Sequence, residues 1–104
     1  MTQVTDSNYK EIIASNSVCV FDFSASWCGP CKKLAPVVEA LANEYEGKAF
    51  IGKVDVDETP EFTELVGIRN VPTVVFYKDG QLLPDRVIGA SDKASLENKI
   101  KELL

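Results

Sequence analysis

At 104 residues the chain has the length of one domain, able to bury about 60% of its unfolded surface and so to build a core without staples. Its 45% hydrophobic and 26% charged content is that of a soluble globular protein, and a net charge of −5 argues against nucleic acid and anionic membranes, whose binding needs a basic footprint. The apolar runs at residues 18–23 and 71–77 are too short to span a bilayer, and the first six residues lack the basic and apolar regions of a signal peptide.

In chain order, Gln3-Val4 starts a short edge strand. Thr5, Asp6, Ser7 and Asn8 are all N-cap types, and Tyr9, Ile12 and Ile13 follow at helical spacing, which predicts a helix over about residues 7–14. Asn16-Ser17 marks a turn. Residues 18–23 are apolar on both parities except at Asp22, the pattern of a strand covered on both faces. From about residue 28 to 45, Leu34, Val37, Val38, Leu41, Ala42 and Tyr45 repeat on one helical face. Pro30 falls in the first turn of that helix, where a missing N–H costs nothing. Pro36 predicts a kink, and Gly47 closes the helix. Residues 49–55 read as a second central strand. Glu58-Thr59-Pro60 opens a short helix through Phe62, Leu65 and Val66, ended by Gly67. Residues 73–77 form a strand, and Asp79-Gly80 turns it into an edge strand over 81–88 that Pro84 bulges or breaks. Ser91-Asp92 caps a final helix with Leu96, Ile100, Leu103 and Leu104 on its apolar side. The alternation predicts an α/β domain with parallel crossovers early and an antiparallel hairpin late. Its mixed sheet of four or five strands has helices on both faces.

The chemistry concentrates in Trp27-Cys28-Gly29-Pro30-Cys31-Lys32, where strand pattern gives way to helix pattern. A thiol at a helix N-terminus meets unpaired backbone N–H groups and the positive end of the macrodipole, and both favour thiolate, the reacting species in disulfide exchange. Cys28 is therefore the candidate attacking thiol. Cys31, one turn on and expected to be less exposed, is the candidate resolving thiol. Gly29 and Pro30 preset a tight ring between them. Closing a loop of about four residues adds only about 2 kcal/mol in the chain-entropy picture, so such a bond opens and closes without unfolding the domain.

Asp22 interrupts an apolar strand. If buried without a cation its pKa rises, and it can then exchange a proton with Cys31; a strand-end Asp bonded to backbone is the equal alternative on the residues alone. Lys53 also interrupts a strand, and it either pairs with Asp22 or snorkels to solvent. Trp27 is an exposed aromatic beside the thiols or a core residue. The Val71–Pro72 bond, read from the residues alone, is expected trans. Cys19 reads as a small buried hydrophobe. Three Cys and no His fall short of the four Cys and His ligands usual in a tetrahedral zinc site, so no metal is expected.

Phe21-Asp22-Phe23, the Trp27–Lys32 hexapeptide, Pro36, Lys53, Val71-Pro72-Thr73, Asp79-Gly80 and Gly89 together resemble the thioredoxin family over nearly the whole chain. The resemblance implies a thioredoxin fold over residues 1–104, a single domain whose central sheet of four or five strands is flanked by four helices. It implies a general protein dithiol–disulfide oxidoreductase with no bound cofactor and a redox-active Cys28–Cys31 disulfide. A flavin- and NADPH-dependent thioredoxin reductase would recycle it, and disulfide-containing proteins would be its substrates. It implies a proton-transfer role for Asp22, redox tuning by Gly29, Pro30 and Lys53, and a cis bond before Pro72. Trp27, Val71, Pro72, Ile88, Gly89 and Ala90, with Gly29 and Pro30, would line the substrate groove. A cytoplasmic monomer is the accompanying expectation, with no nucleic acid or membrane partner.

The chain departs from the family's common bacterial pattern at Ser24, where a second Trp is frequent, and at Asn70, where Gly is common. The segment between Gly80 and Gly89 is one residue longer and holds Pro84, and Cys19 is an added thiol. Two other readings compete. Strongly oxidising relatives carry His before the second Cys, whereas this chain has Pro30 there, which favours a reductant. A binding subunit that uses the same groove without redox turnover is the second.

Overall fold

The computed structural model describes residues 1–104. Along the chain come strand Gln3–Val4 (β1), helix Tyr9–Ser15 (α1), strand Val18–Ser24 (β2), helix Gly29–Glu44 (α2) and strand Phe50–Asp55 (β3). Helix Pro60–Val66 (α3), strands Thr73–Lys78 (β4), Gln81–Leu82 (β5) and Val87–Ile88 (β6), and helix Lys93–Leu103 (α4) complete it. The sheet order is β1-β3-β2-β4-β5, with β6 also paired to β4.

All seven residues of β2 are buried, which explains its apolar character on both parities. It pairs parallel with β3 and antiparallel with β4, so Asp22 lies between Lys53 and Val74 in register. The antiparallel part of the sheet thus begins at β4 itself, earlier than the hairpin that the sequence marks. Asp79 and Gly80 both have positive φ (50° and 82°) and join Lys78 to Gln81, a two-residue turn matched to strand twist. The expected edge strand over 81–88 is two strands. Leu83 still donates its N–H to Phe76, at 2.9 Å, but Pro84 has no N–H to give, and pairing resumes only at Val87. The sheet therefore has six strands rather than four or five.

Helices cover both faces. Tyr9 of α1 and Phe62 and Val66 of α3 pack with Phe21, Phe23, Val54, Val75 and Tyr77. Phe62 is the hub of that side: its ring stacks on Tyr9 at 4.2 Å and meets Phe21 at 5.0 Å. On the other face Leu34, Val38 and Leu41 of α2 and Leu96 and Ile100 of α4 cover Val20, Ile51, Val74 and Phe76. Helix α2 continues through Pro36.

The caps differ in origin. Asp92 accepts from the Ser95 N–H at 2.7 Å and caps α4 locally, as its sequence position predicts. Asp6, one of four candidates to cap α1, instead accepts from the N–H groups of Glu61 and Phe62 (3.1 and 3.0 Å) at the start of α3. Gly67 (φ 77°) ends α3 in the left-handed conformation.

Candidate active site

The carboxyl ends of the parallel strands β2 and β3 meet the start of α2 and the loop before β4. A small cluster of Ala25, Cys28 and Cys31 fills that corner, with Val56 and Val71 packed against it. Cys28 and Cys31 form a disulfide with their Cα atoms 5.3 Å apart. Cys28 is the N-cap of α2, with extended backbone (φ −93°, ψ 114°), and its Sγ accepts the Cys31 N–H at 3.2 Å. Pro30 occupies the first turn, as expected, where its fixed φ suits the helix and no N–H is lost. The donor that a helix N-terminus leaves unpaired is thus spent on sulfur 28. A sulfur held this way is a good leaving group as thiolate.

The expected difference in exposure between the two cysteines is absent from this oxidised state: Cys28 is 5% and Cys31 4% exposed. The carbonyl of Val71 lies 3.8 Å from Cys28 Sγ and covers it. The Val71–Pro72 bond is cis, as the resemblance implies and against the trans form that the residues alone favour.

Asp22 is fully buried, and neither carboxylate oxygen has a hydrogen-bond partner, so it is not a strand-end Asp bonded to backbone. Its parity with Val20 puts it on the face that α2 covers, two residues from the end of β2. Burial pushes its carboxyl up to about 6, and the Lys53 charge on the adjacent strand pulls it partly back. The two are register neighbours but form no ion pair. A carboxyl in this range can take and return a proton near neutral pH. Ser24, also buried, has an unpartnered hydroxyl on the same parity.

Trp27 is 69% exposed and donates its indole N–H to Asp57 at 2.9 Å, which fixes the ring over the cleft instead of in the core. That cleft, of about 380 Å³, joins Trp27 and Val71 to Val56, Ile68, Arg69 and Asn70. Pro72 is buried, and its carbonyl takes the Gly89 N–H at 2.8 Å, which ties the β6 end to the loop before β4. Ile88 is 61% exposed and lines a neighbouring cleft with Arg69 and Asn70. Gly29 and Pro30 are exposed on the first turn of α2, and Ala90 is exposed but lines neither cleft. Cys19 lies in the opposite core, its thiol pushed up to about 11 by burial, away from the pair.

Sequence reasoning missed Val56, Asp57, Ile68 and Arg69. Val56 and Asp57 follow the carboxyl end of β3, which is where crevices form in parallel sheets; that position was the available signal. Nothing local marks Arg69.

The thioredoxin family model matches residues 1–102. The chain is 46% identical over 101 residues to a thioredoxin of Chlorobaculum thiosulfatiphilum, covering 96% of this chain and 93% of the relative. It is 44% identical over 103 residues to thioredoxin 1 of a Nostoc species, covering 98% and 95%. The solved structure of Plasmodium falciparum thioredoxin superposes over both whole chains with a TM-score of 0.89 at 37% identity. Matched from end to end in sequence and in fold, the chain belongs to the thioredoxin family and is a protein dithiol–disulfide oxidoreductase.

Proposed function

We propose that Cys28 attacks and Cys31 resolves. The thiolate of Cys28 attacks one sulfur of a substrate disulfide, forms a mixed disulfide and expels the other substrate sulfur, which takes a proton. Cys31 passes its proton to the Asp22 carboxylate and attacks Cys28 Sγ. The mixed disulfide breaks, the second substrate sulfur leaves as thiolate and takes the proton that Asp22 gives up, and Cys28–Cys31 is oxidised. The substrate gains two electrons and two protons.

The observation that carries this reading is the Cys31 N–H directed at Cys28 Sγ, since only sulfur 28 receives the helix N-terminal donor. Gly29 and Pro30 hold the first turn in that form, and Lys53 sets how far Asp22 rises. The substrate groove extends from the cleft at Trp27 and Val71 past Pro72 to Ile88, Gly89 and Ala90, with the exposed side chains of Trp27 and Ile88 as its apolar contacts. The chain acts as a single domain and a monomer, with no bound cofactor. A thioredoxin reductase returns electrons to Cys28–Cys31, and disulfide-bearing proteins take them. A reductant of this kind belongs in a compartment that keeps thiols reduced, here the cytoplasm.

The test is trapping. Cys31→Ser should accumulate mixed disulfides with client proteins through Cys28, while Cys28→Ser should accumulate few. The reverse order would overturn the assignment. A Cys28→Ser, Cys31→Ser double variant that kept full biological function would favour binding without turnover.

A further inference from the structure

Beside the groove lies a second cleft, of about 260 Å³, lined by Gly67, Arg69, Asn70, Thr73, Arg86 and Ile88. Two arginines and no acidic residue line it, in a chain whose net charge is −5. Neither arginine is in a salt bridge. The nearest acidic residue in sequence, Asp85, is turned to Lys99 at 3.4 Å. Arg86 is held from behind: its guanidinium donates to the carbonyls of Val66 and Gly67 (3.2 and 3.4 Å) at the end of α3. Two of its five N–H donors are so used, and the others remain. Arg69 is exposed and makes no hydrogen bond within the chain.

This cleft adjoins the first one. Arg69 and Asn70 line both, and Asn70 precedes Val71, whose carbonyl lies against Cys28 Sγ. A polypeptide placed across Val71 therefore brings a neighbouring side chain to the arginines. A planar fork of N–H donors matches a carboxylate. Resting on the groove reading above, we infer that Arg69 and Arg86 form a carboxylate subsite that selects client proteins with an Asp or Glu close to the attacked cysteine. Ile88 supplies the apolar wall against which the acidic side chain's methylenes lie.

The test uses short peptide disulfides that carry a single Glu or Gln at one position, scanned over about four residues on either side of the cysteine. At one or two positions the reduced wild-type chain should turn over the Glu peptide with about fivefold higher kcat/KM at low salt, carried by KM, the scale of a partly exposed charge pair. The preference should shrink at high salt and fall to about one in Arg69→Gln and in Arg86→Gln. Arg86→Gln also loses a cap on α3, so Arg69→Gln decides the matter if the other variant fails to fold. Equal rates for Glu and Gln at every position, or a preference that survives Arg69→Gln, overturn the subsite alone. Failure to reduce any peptide overturns the groove reading and the subsite with it.

Discussion

A carboxyl without a hydrogen bond in the central strand is a stability cost that depends on pH, and Asp22 sets its sign. Its folded value, about 6, lies above the ordinary 3.8 because burial disfavours the charge more than Lys53 restores it. Below about pH 4 folded and unfolded chains both hold the proton, and the cost is absent. Between about pH 4 and 6 the unfolded chain ionises first, so stability falls as pH rises. Above about pH 6 the loss levels near about 3 kcal/mol, at 1.36 kcal/mol per pH unit between the two values. Asp22→Asn should therefore be more stable than wild type by about 3 kcal/mol at pH 7 and nearly equal to it at pH 4, read by urea unfolding at both. A gain of the same size at both pH values would place the effect in packing and remove ionisation as its cause. Under the proposed proton transfer from Cys31 to Asp22, the same variant should also slow release of the mixed disulfide. A costly residue retained at a reacting site is the usual form of the trade between stability and activity.

Element by element, what the sequence made legible was local. Periodicity marked all four helices, Asp79-Gly80 marked the hairpin, Gly67 the end of α3 and Pro84 the break in the last strand. The cysteine pair and Trp27 were readable for the same reason, since their chemistry lies within six consecutive residues. What could not be read links distant segments: β4 antiparallel to β2, Asp6 on the start of α3, Arg86 on its end, and Asp57 beneath Trp27. No spacing rule reaches across 19 to 60 residues. The two aspartate caps allow a direct comparison. Asp92→Ala removes a local cap and should cost about 1 kcal/mol. Asp6→Ala removes a cap from a helix far along the chain and should cost as much, because the α3 donors lose the same kind of acceptor. Denaturant unfolding of both variants checks this. A loss near zero for Asp6→Ala would mean that solvent replaces the carboxylate at no cost.

For the molecule as a whole, the question is whether the disulfide holds the fold or merely sits on it. The two large cores lie on opposite faces of one sheet, and neither includes Cys28 or Cys31. The pair belongs to a separate small cluster at the sheet's end, and its covalent loop spans a sequence separation of only three residues. Such a loop constrains the unfolded chain little, about 2 kcal/mol, against the 5–15 kcal/mol typical of a folded domain. Reduction should therefore leave a folded, cooperative protein whose stability falls by about 2 kcal/mol. Guanidinium unfolding with and without a dithiol reductant measures it, with equal m-values showing that the same surface is exposed in both states. If reduction instead unfolds the chain, or costs more than about 4 kcal/mol, the bond is a structural staple, and repeated cycling between dithiol and disulfide would require the domain to come apart at every turnover.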